Sequence, residues 1–205
     1  MRLLTRRKAF FSFHFDDVMR VNVVRNAFKI YYPQNTILPT FYDSSLWEAR
    51  KLESDDSLKN LIRGGVECTS VVCVLIGTST WTRRWVKYEI ARSVIDEKGL
   101  VGIHINGVNH HQTKLPHIRG LNPISQMAVG KMVDGTFRLF EKTPRGWERY
   151  KDYLASIKLP SYLVEPQVGY VTALNFGTRE YDFTLQNGHI NIGGWLDMAA
   201  TDAGR

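Results

Sequence analysis

The chain has 205 residues, 43% of them hydrophobic, enough to bury one substantial core and to favour one main domain with appendages over two domains. Its 27 basic residues against 20 acidic ones give a formal charge of +7, a modest bias toward anionic partners. Two cysteines, no signal-peptide pattern in "MRLLTRRKAFFSF" and no run near the ~18 apolar residues of a membrane span speak against a disulfide scaffold or a membrane protein. A soluble cytoplasmic protein with no membrane partner is expected.

Residues 9–15, "AFFSFHF", read as a short buried strand, because aromatics dominate and Asp16-Asp17 next to them can cap a helix. That helix covers 18–32, with Val21, Val24 and Phe28 at helical spacing and Pro33 as its stop. "TFYD" at 40–43 predicts a second strand, followed by the loop "SSLWEARKLES". A helix over "DDSLKNLIRG" should end at Gly64-Gly65. The β-branched run "TSVVCVLIG" at 69–77 is the clearest strand and has the continuous apolar character of a sheet covered on both faces. A helix over 79–98 and a strand over 99–106 complete an alternation of strand and helix. That pattern predicts a doubly wound, mainly parallel α/β sheet with helices on both faces. Residues 107–130 read as loop. Beyond them, "GWERYKDYLASI" reads as a helix, and "YVTALNFG" with "REYDFTLQNGHINIGG" as late strands turning at Asn187-Gly188. The domain reading is therefore 1–150 for the main domain and 151–205 for a C-terminal α/β extension, a helix plus a β-hairpin, packed on it.

Ligands of such sheets gather at the carboxyl ends of the strands. There the chain offers Ser12, Phe13 and His14 after the first strand, Asp43 and Trp47 after the second, and Thr78-Ser79 after the third. Rings that stack on a base and hydroxyls that hold phosphate or ribose suit a nucleotide. The stretch "STWTRRWVKYEI" at 79–90 adds one carboxylate among cations and rings. On a helix at about 100° per residue, Glu89 falls at the border of the core face and shares a side with Trp85, four residues back. Arg83, Arg84 and Lys87 do not line up with the rings, so nucleic acid is not an expected partner. Geometry alone leaves Glu89 open between a cleft carboxylate and a solvated one paired with Arg92. His104, His110, His111 and His117 lack metal-ligand spacing, and no metal is expected. A phosphoacceptor receiver domain would need an Asp where Gly77-Thr78-Ser79 stand.

"FFSFHFDD", "FYDSSLWE" and "LIGTSTWTRRWVKYEI" resemble, in order and spacing, the three signature boxes of TIR-type domains. Together with "RVNVVRN", "TSVVCVLIG" and "GIHIN", they are most similar to the bacterial TIR-like family of Thoeris anti-phage defence sensors. The likeness covers residues 8–106 and the closing segment "YDFTLQNGHINIGGWLDMAA". It implies a flavodoxin-like (TIR-like) fold and an NAD⁺-cleaving enzyme, an NAD⁺ glycohydrolase or ADP-ribosyl cyclase. Glu89 is then the catalytic residue, and Ser12, Phe13, His14, Asp43, Trp47 and Trp85 border the nucleotide. It further implies NAD⁺ as substrate with no cofactor, and a cyclic ADP-ribose-type signal for a separate effector. A phage-derived trigger and homo-oligomerisation on activation complete the expectation. A non-catalytic TIR-like interaction module stays open as the alternative. Where the family's first box often carries arginine this chain has His14.

Overall fold

The computed structural model describes residues 7–31 and 54–205. Four strands form a wholly parallel sheet in the order β1 (Ala9–Ser12), β2 (Val71–Ile76), β3 (Gly99–His104) and β8 (Arg179–Asp182). Every residue of the first three is buried. Alternation sends Phe11, Cys73, Val101 and Ile103 to one face, against α1 (Val18–Tyr31) and α4 (Gly188–Asp202). Phe10, Val72, Val74 and Ile76 go to the other, against α2 (Asp55–Glu67) and α3 (Arg84–Ile95). Helices on both faces of a parallel sheet are the flavodoxin-like, doubly wound arrangement that the alternation of elements predicts. The strand expected at 40–43 and the stop at Pro33 lie outside the described residues.

The region after 106 departs from expectation. β4 (Met127–Lys131), β5 (Phe137–Thr143), β6 (Gly146–Arg149) and β7 (Val171–Ala173) build a second, antiparallel sheet in the order β6-β5-β4-β7. Met127, Val129 and Leu139 on its inner face join the same core as α2 and α3. α3 is therefore enclosed between two sheets, and Tyr88, Glu89, Ile90 and Ala91 are buried in succession. "GWERYKDYLASI" is thus the strand β6 followed by irregular chain, not a helix. Its residues alternate between the two faces, and Gly146 sits at φ 111, in the left-handed region that favours glycine.

Two further expectations are corrected. Asn187-Gly188 is not a hairpin turn. Asn187 takes φ 51, as the turn chemistry demands, but it stands at the N-cap of α4, where Ile192, Leu196 and Ala200 recur at four-residue spacing and are buried. The closing segment is therefore a helix, with no β-hairpin, and β7 and β8 return to different sheets, so position 150 separates neither. Gly64-Gly65 does not end α2 either. The helix continues to Glu67 because Val66 extends the buried row of Leu58 and Ile62, which outweighs the ~1 kcal/mol that each helical glycine costs.

Candidate active site

The ends of β1 and β2 and the face of α3 meet at the carboxyl edge of the parallel sheet. Phe10 and Ser12 share the face that looks toward α3, so strand alternation delivers the Ser12 hydroxyl to that helix. Ser12 Oγ donates a hydrogen bond of 2.5 Å to Glu89 Oε2, and both side chains belong to residues with 0% exposure. Burial pushes the Glu89 carboxyl up to about 8, while the Ser12 hydrogen bond pulls the other way by favouring the charged form. At neutral pH the resting site thus holds a mostly protonated acid. The helical drawing, which assumes one core face, places Glu89 at a border. The second sheet removes the solvent side of that border. Arg92 pairs with Asp96, one turn later, rather than with Glu89.

The other expected site residues scatter around this pair. Phe13 lies on the opposite face of the sheet, buried in the core with α1, and the Arg25 guanidinium sits 5.3 Å from its ring centre. His14 is half-buried. Its Nδ1 accepts from the Asp16 amide at 3.2 Å and caps the turn into α1, and burial lowers its pKa. Trp85 packs part-buried against the α2–α3 core, edge-on to Tyr88 at 6.0 Å and beneath Arg84 at 4.7 Å. Asp43 and Trp47 lie outside the described residues. The cations of "STWTRRWVKYEI" hold neighbouring elements: Arg84 bridges Asp55 and Asp152, and Lys87 reaches Glu141 at 3.2 Å.

Sequence reasoning misses a polar cluster at the same edge. Asp17 is buried against Gly77, where a Cβ would meet its carboxylate at 1.9 Å, and burial raises its pKa to about 6. Arg20 stands 3.5 Å from it on one side and His117 Nε2 3.5 Å on the other. His117 Nδ1 is 2.9 Å from Thr78 Oγ1, which also donates to the Ile118 carbonyl at 2.5 Å. These bonds lay the segment after β3 across the ends of β1 and β2, and Gly120 touches the backbone of Gly77 and Thr78. Glycines at 77 and 120 are the only sequence trace of that contact, since the partners are some 40 residues apart. His104 belongs elsewhere, bonded through Nε2 to Glu180 on β8 at 2.7 Å.

Residues 10–110 match the sequence profile of the family described as "Thoeris protein ThsB, TIR-like domain". Over 194 residues, 93% of this chain and 99% of the other, the chain is 38% identical to a protein of Bacillus cereus (strain MSX-D12) named "Putative cyclic ADP-D-ribose synthase ThsB1". The chain belongs to the ThsB TIR-like family. Within this ThsB-family fold, the third signature box is the turn Thr80–Thr82 with α3, and the first box is β1 with its capped turn. The profile ends before β4, so the antiparallel sheet lies outside the matched TIR-like region, while the longer likeness to the Bacillus relative extends past it. Among the described residues, no helix is long and apolar enough to cross a membrane.

Proposed function

We propose that this protein is an NAD⁺-cleaving enzyme of anti-phage defence, which breaks the nicotinamide–ribose bond and closes the remainder into a cyclic ADP-ribose-type signal for a separate effector. The observation that carries the reading is the buried Ser12–Glu89 pair at the carboxyl edge of the parallel sheet. The name of the Bacillus relative points the same way.

Nicotinamide leaves a cationic ribosyl bond as a neutral molecule and takes the bonding electrons with it, so no general acid is needed. What the reaction needs is a negative charge beside the carbon that becomes oxocarbenium-like. Glu89 supplies it. The cationic substrate favours the ionised carboxyl, the Glu89 proton passes to solvent, and the Ser12 hydroxyl keeps the carboxylate aimed through its hydrogen bond. Ser12 in this reading serves the acid first and the nucleotide second. With water excluded, a nitrogen of the adenine attacks the ribosyl carbon, and the balance is NAD⁺ to nicotinamide, cyclic ADP-ribose and one proton. Water in the same position gives linear ADP-ribose. NAD⁺ is consumed as substrate, with no cofactor.

A catalytic carboxyl sealed from solvent fits an enzyme that is silent until a phage-derived trigger, acting directly or through homo-oligomerisation, opens the site. The deciding experiment is chromatography and mass spectrometry of nucleotides from infected cells that express the protein or its Glu89→Gln variant. Cyclic ADP-ribose-type product only with Glu89 supports the reading. Equal product from a folded Glu89→Gln protein overturns the assignment, and no product from either returns the chain to the interaction-module alternative.

A further inference from the structure

The second sheet sorts its side chains by charge. Residues opposite one another across an antiparallel ladder share a face, and neighbours along a strand point to opposite faces. The pairs Met127↔Glu141 and Val129↔Leu139 turn inward, where Met127, Val129 and Leu139 are buried and Glu141 meets Lys87 of α3. Glu148, opposite Glu141, shares that inner face. The pairs Gly130↔Arg138, Phe140↔Arg149 and Lys142↔Trp147 turn outward. Both acids of β5 and β6 thus lie inward, while Arg138, Lys142 and Arg149 lie outward. Arg145 adds a fourth cation from the tip of the β5–β6 turn. Among the described residues none of these four cations takes part in an ion pair.

Aromatic rings lie between them. Phe140 rests on Gly130, where a Cβ would come within 2.5 Å of the ring, so glycine lets it lie close to the sheet. Phe140, Trp147 and the 67%-exposed Tyr170 line an open trough of about 430 Å³ that also takes in Val133 and Val171. Arg149 stands 5.9 Å from the Phe140 ring centre. The Leu154 carbonyl accepts from Arg138 at 3.2 Å and from Arg149 at 3.0 Å, which orders both guanidinium groups without cancelling their charge.

We propose that the outer face of the second sheet binds single-stranded nucleic acid, its rings stacking on bases and its four cations following the phosphates. Exposed rings stack on any base, and cations alongside them neutralise the backbone, the combination that sheet surfaces use for unpaired strands. The charge argues against a second copy of this chain as the occupant. A two-fold contact would set four cations against the same four, and the acids at the rim, Asp134 beside Arg138 and Glu165 paired with Lys131, are too few to answer them. The expectation of no nucleic-acid partner rests on α3, whose cations are engaged by Asp55, Asp152 and Glu141. The second sheet is a different surface, and its binding is independent of NAD⁺ cleavage.

Fluorescence anisotropy of the full chain with labelled oligo(dT) and oligo(U) of about 20 nucleotides tests this. Micromolar binding that weakens steeply as salt rises is expected. Trp147→Ala should weaken it about 10-fold, from the loss of one stacked base. The double charge reversal Lys142→Glu/Arg145→Glu, at two exposed positions that leave packing untouched, should weaken it at least as much and flatten the salt dependence. A duplex of equal length should bind more weakly than the single strand. Absence of binding, binding indifferent to both variants, or duplex binding equal to single strand overturns the proposal. So does sedimentation showing that these variants dissolve a dimer instead.

Discussion

The two sheets treat charge in opposite ways. In the parallel sheet both faces are covered, and the polar groups at its carboxyl edge, Ser12, Asp17, Glu89 and Thr78, are buried or half-buried in bonds to one another and to the segment that crosses them. In the antiparallel sheet one face is covered, and four cations lie on the other, Lys142 and Arg145 exposed and Arg138 and Arg149 half-buried. The difference is one of desolvation. Enclosure pushes Glu89 to about 8 and Asp17 to about 6, so at neutral pH Glu89 holds a proton that a ligand can displace while Asp17 is mostly ionised. The second sheet keeps its positive charges on a face open to an anionic ligand.

Removing the Glu89 charge breaks the contrast most sharply. Glu89→Gln is near-isosteric, and nicotinamide release should fall by at least about 10²–10³-fold, the loss seen when one charge-stabilising group leaves an active site. Its stability should move the other way. A carboxyl whose folded pKa is raised stabilises the fold fully below the ordinary carboxylate range, and that contribution is lost as pH rises toward about 8. The variant should therefore melt with the parent at about pH 4.5 and above it at about pH 8, by about 2–4 °C for each kcal/mol of relief. Scanning calorimetry across that range checks the sign. A parent that outlasts the variant at high pH would mean that Glu89 is already ionised in the resting fold.

Ser12→Ala comes next. It leaves Glu89 buried but removes a hydrogen bond that favours its charged form, so the pKa rises further and the pH at which cleavage reaches half its maximum moves up. The rate at neutral pH should fall about 10-fold, the worth of roughly one charge-assisted hydrogen bond. Ser12→Thr, which keeps the hydroxyl, should restore both rate and midpoint. A Ser12→Ala enzyme that is slower at every pH with an unmoved midpoint would make Ser12 a substrate contact rather than a positioning residue.

The same contrast explains what was legible in the sequence. The parallel sheet is written in continuous apolar strands such as "VVCVLI", which have one reading, and the strand-to-helix alternation fixes where their ends converge. Glu89 was visible as a carboxylate on α3, but its burial was not. That depends on a second sheet whose strands of three to seven residues mix charges and rings. Asn187-Gly188 reads as a hairpin turn, yet its turn chemistry is shared by hairpins and helix starts, and the buried spacing of Ile192 and Leu196 decides for the helix. The Asp17, Thr78 and His117 cluster joins residues distant in sequence, and no local pattern encodes it.

Gly120→Ala probes how tightly the crossing segment is set over the first sheet. Its Cβ would stand 2.1 Å from the Gly77 carbonyl oxygen and 2.5 Å from that of Thr78, both backbone atoms that a side-chain rotation cannot move aside. Overpacking of this kind costs about 1–3 kcal/mol, so the melting temperature should fall by about 2–12 °C. Gly135→Ala, in the open turn of the second sheet, serves as the comparison. Its φ of 80 brings strain but no clash, and its loss should be smaller. Equal losses would place the backbone contact of the first sheet on a par with a surface turn.

The smallest effect belongs to Arg84, which ties the two regions together. It reaches Asp55 on α2 at 2.6 Å and Asp152, just past β6, at 2.9 Å while covering the ring of Trp85. Its hydrogen bonds are the first cause that holds the Asp152 carboxyl down at about 2, with Lys59 adding to them at 2.7 Å. Because the guanidinium is half-exposed, solvent screens the pair, and Arg84→Ala should cost only about 1 kcal/mol, a fall of about 2–4 °C in melting temperature. A depressed carboxylate stabilises the fold above its unfolded pKa and loses that contribution as pH falls through the folded value. The gap between parent and variant should therefore be full at neutral pH and close as pH falls toward about 2. High salt should narrow it at neutral pH as well. A gap indifferent to both pH and salt would mean that Arg84 acts through its packing on Trp85 rather than through Asp55 and Asp152.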